Sequence, residues 1–169
     1  RMPDIVDFWI YPAIKWIKRQ EEWDIIISSY SPYSSHIIGL WAQKNQRSKL
    51  WVADFRDPWE DHHIFKGIFP FTLYEKYLEK KVVERADFSI TVNEEIQSKF
   101  KQKYKDANVQ VIKNGIDLEQ LENINKDFYF NDKSKLRLAY TGTFYPILQN
   151  LEPFLNALEY LIDFDNQLI

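Results

Sequence analysis

The chain has 169 residues and a nearly balanced charge, 22 lysines and arginines against 25 aspartates and glutamates, and the resulting net of -3 argues against a nonspecific nucleic-acid binder. Hydrophobic residues at 45% and charged residues at 28% are the proportions of a packed core under a polar surface, which excludes disorder as the main state. With no cysteine, a disulfide framework, a thiolate zinc site and a cysteine nucleophile are excluded together.

Taken in chain order, five short β-rich runs alternate with helical patterns. They are Asp24 to Ser28, Leu50 to Phe55, Phe88 to Val92, Val109 to Ile112 and Leu136 to Thr141. Several are apolar almost throughout, as strands covered on both faces of a parallel sheet read. The helical stripes between and after them are Tyr74, Tyr77, Leu78, Val82 and Ala86, then Ile96, Phe100 and Tyr104, then Leu151, Phe154, Leu155, Leu158, Leu161 and Ile162. Asn93 and Asn150 stand where a capping side chain belongs, each with glutamate in the first turn of the helix. Strand, loop and capped helix in alternation predict an α/β fold, a Rossmann-like doubly wound parallel sheet with right-handed crossovers. The polar stretch Asp117 to Lys135 reads as a boundary, dividing the chain into residues 1–116, a linker 117–135, and a remainder 136–169 with room for one strand and one helix. No apolar run approaches the roughly 20 residues that span a bilayer, and Arg1 to Ile5 lack the pattern of a signal peptide. The expectation is a soluble, cytoplasmic chain, or one resting at the inner face of the cell membrane.

In open parallel sheets ligands bind beyond the carboxyl ends of the strands, so the loops there hold the candidate residues. Ser34, Ser35 and His36 end a hydroxyl-rich turn that feeds a helix; they read either as ligand contacts at a helix amino end or as plain capping. Asp54, Arg56 and Asp57 crowd the end of the second run, reading as a functional cluster or as an internal ion pair. Asp57 with Glu60, Asp61, His62 and His63 offers metal-ligating atoms, but in a spacing that matches no zinc signature. Asn114 with Gly115, and Gly142 with Thr143, come after later runs, where glycine permits a positive φ or a close ligand approach. Lys99, Lys101, Lys103 and Lys105 around Phe100 and Tyr104 read as a solvated helix face or as a surface for anionic headgroups.

Several stretches in this order carry a family resemblance. Pro3-Asp4 with Trp9, Asp24-Ile25-Ile26 with Ser31-Pro32 and Ser34-Ser35-His36, and Asp54 through Trp59 (DFRDPW) resemble the acceptor-side half of a family 4 (group 1) glycosyltransferase. Ala86-Asp87, Thr91-Val92-Asn93, Ile112 through Asp117 (IKNGID) and Tyr140 through Tyr145 continue the pattern. The resemblance implies the two-domain GT-B architecture: residues 1–116 form an acceptor-side domain that lacks its first strands, and 136–169 the start of a donor-binding domain.

The resemblance also implies a retaining transferase that moves a sugar from a nucleotide sugar to a polysaccharide or glycolipid acceptor in cell-envelope polysaccharide biosynthesis. It needs no metal and no cofactor, the nucleotide sugar being a substrate. Its paired-glutamate motif lies outside this chain, so the 169 residues alone are not expected to turn over. By the same carry-over Ser34, Ser35, Arg56 and Asp57 face the acceptor or the reaction centre, Asn114 and Gly115 mark the interdomain crossover, and Gly142 and Thr143 lie near the donor diphosphate. His36 is a further candidate contact. Two departures are visible: Arg56-Asp57 stands where many relatives have a histidine followed by an acid, and Thr143 where many have a basic residue. A nucleotide-sugar epimerase of the same fold, a metal-dependent hydrolase built on Asp57, Asp61, His62 and His63, and a noncatalytic interaction module remain alternatives.

Overall fold

A computed structural model describes residues 2–60, 67–105, 107–119, 137–143, 145 and 149–166, with side chains to residue 162. The chain divides into two compact units, residues 1–117 and 118–169. In the first, strands β1 (Trp23–Tyr30), β2 (Ser48–Phe55), β3 (Phe88–Thr91) and β4 (Val109–Val111) form one parallel sheet in the order β1-β2-β3-β4. Helices α2 (Ser34–Lys44), α3 (Phe71–Arg85) and α4 (Glu94–Lys103) make the crossovers, and α1 (Ile10–Ile17), entered through a 3-10 turn at Ile5–Trp9, packs on α2. This is the α/β, Rossmann-like parallel sheet that the alternating pattern predicts.

Because the strands succeed one another in one direction, right-handed crossovers return their helices to a single face. Burial obeys that rule. Side chains pointing toward the helices (Ser28, Tyr30, Trp51, Ala53, Phe55, Ser89, Thr91 and Val109) are buried, whereas Ile25, Ile27, Leu50 and Phe88 on the opposite face are exposed. The continuous apolar run in β1 is therefore covered on one face only among the described residues. Phe55 meets Phe100 of α4 edge-on at 5.0 Å, joining the sheet to its helices. Gly39 lets α2 lie close against the strands; a Cβ there would stand 2.4 Å from Trp51 Nε1.

Local chemistry sets the helix ends. The Asn93 side chain accepts from the Ile96 N–H at 2.9 Å, capping α4 as its sequence predicts. Helix α2 ends in a way the residue types do not announce: the Gln46 N–H bonds to Gln43 O and the Arg47 N–H to Ala42 O, with Gln46 at φ 53°. That is a Schellman closure with glutamine in the left-handed seat that glycine usually fills.

The stripe on α3 differs from its sequence reading. Leu78 and Val82 are buried as expected, but Tyr74 and Tyr77 are exposed, and Glu75 and Glu79 take the inner positions beside Val83. Periodicity ranks tyrosine as the core residue; the carboxylates win because each has buried donors. Glu75 accepts from the Met2 N–H at 2.9 Å, and Glu79 from the Glu60 N–H at 2.6 Å and the Tyr104 hydroxyl at 2.7 Å.

In the second unit, α5 (Glu152–Asn166) starts at Asn150, whose Oδ1 accepts from the Glu152 N–H at 2.9 Å. Residues 137–141 form no strand, in contrast to the sequence reading, since a strand needs a hydrogen-bonded neighbour and the described part of this unit has only a helix. Most of the expected linker, residues 120–135, lies outside the described residues.

Candidate functional site

The pairing Tyr30↔Phe55, Phe55↔Thr91 and Thr91↔Val111 brings the carboxyl ends of all four strands level. The loops leaving them stand side by side. Between them opens a hollow of about 290 Å³ lined by Ser29, Tyr30, Ser31, Arg56, Asp57, Val92 and Asn114. Arg56, Asp57 and Asn114, three candidates from the sequence, thus share one cavity although the first and the last lie far apart along the chain. Arg56 and Asp57 are exposed and form no ion pair among the described residues, so the internal pairing that would make them a structural turn is not made. At the rim the Ser29 hydroxyl donates to Asp54 at 2.9 Å. The sequence by itself does not single out Ser29, Ser31 and Val92; the strand-end rule points to their loops but does not say which side chains turn inward.

The Arg56-Asp57 tip is short and held at both sides. Phe55 is buried at the end of β2, and four residues later Trp59 is also fully buried, stacked on Tyr33 at 5.3 Å and on Tyr30 at 6.2 Å. Next to it, the Glu60 N–H bonds to Glu79 of α3. The Glu60 carboxylate pairs with Lys76 at 2.9 Å and with Lys103, which also donates to Glu79 at 2.8 Å. Two acids and two bases lock α3, α4 and the loop together. Burial alone pushes the Glu60 carboxyl up, but hydrogen bonds from Lys103 and Lys76 and their charges outweigh it and hold the group below its usual range. Lys103 is the mirror case: burial pulls it down, while the Glu79 charge and the bonds to Glu60 and Glu79 raise it further. Lys99 pairs with Glu95 at 2.7 Å, so two members of the lysine series serve ion pairs within the fold.

Ser34 and His36 lie in the packed interior and do not line the hollow. Their positions in the first turn of α2 point them back against the sheet. The Ser34 hydroxyl accepts from Trp9 Nε1 at 2.8 Å. His36 Nδ1 lies 2.8 Å from the Ser28 hydroxyl, which also accepts from Trp51 Nε1 at 2.9 Å. The His36 ring packs on Phe55 at 4.5 Å, and its Nε2 is buried without a hydrogen-bond partner. Burial pushes its pKa down to about 3, which makes it a neutral core histidine. Neither serine caps α2, whose cap position is Tyr33. Ser35 instead donates back to the Pro32 carbonyl at 2.8 Å and faces an apolar groove between α1 and β1. Tyr33 donates to Asp7, and burial together with that carboxylate raises its phenol pKa.

Gly115 comes after Asn114 without a positive φ, and the space where a Cβ would go is open. Gly142 and Thr143 belong to the second unit, in an exposed turn where the Tyr140 hydroxyl donates to the Thr143 carbonyl at 3.3 Å. Asp61, His62 and His63, on which the hydrolase alternative depends, lie outside the described residues.

The family model described as Glycosyltransferase Family 4 matches residues 3–120. The chain belongs to glycosyltransferase family 4. The match takes in the whole sheet and every residue of the hollow, and it ends before Gly142 and Thr143. No curated protein matches the chain. A family 4 glycosyltransferase acts on sugar-bearing substrates, and no described helix is long and apolar enough to cross a membrane. Arg56 supplies a positive charge with a forked donor set, and Asp57 beside it supplies an exposed hydrogen-bond acceptor on the same hollow.

Proposed function

We propose that the hollow at the strand ends is the acceptor half of a glycosyl-transfer site. In this reading the enzyme moves a sugar from a nucleotide-sugar donor to a polysaccharide or glycolipid acceptor with retention, at the cytoplasmic side of the cell envelope and without metal or cofactor. Asp57 accepts the hydrogen bond of the attacking hydroxyl, and Arg56 orients that carboxylate or grips an acidic group on the acceptor. Ser31 and Asn114 supply neutral hydrogen-bonding groups. The observation that carries the proposal is the convergence of Arg56, Asp57 and Asn114 on one polar cavity within the matched span. Gly142 and Thr143 belong to the donor side on this reading, where positive potential on the departing diphosphate is required. Turnover is accordingly expected from a polypeptide that also carries a complete donor domain.

The test has two parts. Calorimetry of this chain against a panel of oligosaccharide and lipid-linked acceptors measures acceptor binding without a donor. Transfer from radiolabelled nucleotide sugars is then measured in a polypeptide with both domains. Asp57→Asn is expected to slow turnover by about a hundredfold or more, while unfolding free energy moves by less than about 0.5 kcal/mol because the side chain is exposed. Unchanged turnover removes Asp57 from the mechanism, and conversion of the donor into an isomeric nucleotide sugar without an acceptor points to the epimerase.

A further inference from the structure

Most charged groups on the loops around the hollow already have partners. The Asp54 carboxylate accepts from the Ser29 hydroxyl at 2.9 Å, Glu94 at the start of α4 pairs with Lys113 at 3.0 Å, and Glu60 is held by Lys76 and Lys103. Arg56 and Asp57 are the exceptions. Arg56 is the one cation in the lining, and among the described residues no carboxylate pairs with it, not even that of its neighbour. An unpaired arginine on a convex surface is ordinary, because water solvates it well. This one stands in a concave, polar site, on a short tip whose backbone is fixed by the buried rings of Phe55 and Trp59. A guanidinium on such a support loses little freedom on binding, and its parallel N–H groups match the oxygens of a carboxylate or a phosphate.

Asp57 narrows the choice of ligand. Its carboxylate repels an anion laid across both side chains, so a small free ion is poorly served by the pair. A molecule with an acid on one side and a hydroxyl on the other satisfies both, the acid on Arg56 and the hydroxyl donating to Asp57. The remaining wall suits the rest of such a molecule: Ser31 and Asn114 offer neutral donors and acceptors for further hydroxyls, and Val92 gives a small apolar contact.

We infer that Arg56 makes the hollow selective for an acidic sugar, one that carries a carboxylate or a phosphate within reach of the hydroxyl that bonds to Asp57. This selectivity rests on the acceptor reading and deepens it, because it names the chemical class of the acceptor unit and the residue that tells acidic from neutral sugars. Of the two duties open to Arg56, orienting Asp57 and gripping the ligand, the absence of a pair between the two side chains favours the second.

Ligand-observed NMR titration of the 169-residue chain at low ionic strength tests this without a donor domain. Glucuronate and galacturonate present the carboxylate, glucose-6-phosphate presents the phosphate, glucose and galactose are the neutral controls, and uridine diphosphate reports whether the anion comes from a donor instead. At least one acidic sugar is expected to bind about tenfold or more tighter than its neutral counterpart, with the preference shrinking as salt is added, and the sugar that binds tells carboxylate from phosphate. Arg56→Gln should abolish the preference, and Arg56→Lys, which keeps the charge without the fork, should restore only part of it. Lys101→Gln, at an exposed α4 position outside the lining, should leave it unchanged. All three variants should keep the wild-type circular dichroism spectrum, these side chains being exposed. Equal binding of acidic and neutral sugars, or a preference that survives Arg56→Gln, overturns the inference and leaves the acceptor reading standing. Binding of uridine diphosphate that depends on Arg56, with no binding of any acidic sugar, overturns it by moving the anion to the donor. Failure of every sugar overturns it as well, while the oligosaccharide and lipid-linked panel decides the acceptor reading separately.

Discussion

His36→Leu removes a titratable ring from the interior, and the consequence can be worked out from the environment of that ring. The side chain is fully buried and burial pushes its pKa down to about 3, against 6.5 when solvated. Below the solvated value the unfolded chain binds a proton that the folded chain refuses, so stability falls as the pH drops through that window. The sign is that of a base whose folded pKa is depressed: the full contribution is present at neutral pH and lost on acidification. Between about pH 7.5 and about pH 5 the loss amounts to about 2 kcal/mol, and it barely changes if the folded pKa is nearer 4, because the folded state stays unprotonated across the range either way. Carboxylates contribute to the pH dependence of both proteins and cancel in the difference. Urea denaturation of wild type and His36→Leu at both pH values, monitored by tryptophan fluorescence, gives that difference. At the higher pH the variant is expected to be less stable by about 1–3 kcal/mol, since Ser28 loses a partner and the packing changes. At the lower pH the deficit should shrink by about 2 kcal/mol. A stability gap that stays constant with pH would refute the reasoning, because it would mean that the folded protein lets His36 take up its proton.

Gly39→Ala sets a methyl 2.4 Å from Trp51 Nε1 and 3.0 Å from the Ser28 hydroxyl, both immobile in the core, and thermal denaturation is expected to show a loss of about 1–3 kcal/mol despite the better helix propensity of alanine. A more stable variant would contradict the close approach of α2. Gln46→Gly relieves the left-handed backbone at the end of that helix and should stabilise by about 0.5–1 kcal/mol in urea; a loss would place Gln46 in contacts that outweigh its φ. Glu79→Gln removes a buried carboxylate from Lys103, Tyr104 and the Glu60 N–H. The expected cost is about 2 kcal/mol, on the low side for a buried pair because Lys103 keeps 25% of its side chain exposed. Hydrogen exchange at the Glu60 amide should speed up as well, and an unaltered rate would mean that the bond to Glu79 does not protect that amide.

Much of the fold was legible because its rules are local. Four of the five runs read as strands are strands, and Asn93 and Asn150 cap the helices they precede. Where local reading failed, partners distant in sequence decided. Glu75 and Glu79 displaced Tyr74 and Tyr77 from the α3 interior because Met2, Glu60, Lys103 and Tyr104 bring donors to them. No period in the α3 sequence records those donors. The strand expected from Leu136 has no neighbour in the described part of its unit to bond with, and residues 137–141 form none.

The candidate site divides along the same line. The DFRDPW and IKNGID stretches carried the resemblance to the family, and the strand pattern identified the loops at the strand ends, because a parallel sheet delivers its loops to one edge whatever the side chains are. Which side chains face the cavity depends on the direction in which each backbone leaves its strand, and only the tertiary structure decided that. Arg56, Asp57 and Asn114 turn into a common hollow, while one turn of α2 rotates Ser34 and His36 into the core against Trp9, Ser28 and Phe55. A hydroxyl or an imidazole serves equally well as a ligand contact or as a satisfied interior group. The choice belongs to the neighbours that packing brings within hydrogen-bonding reach, and those lie tens of residues away along the chain.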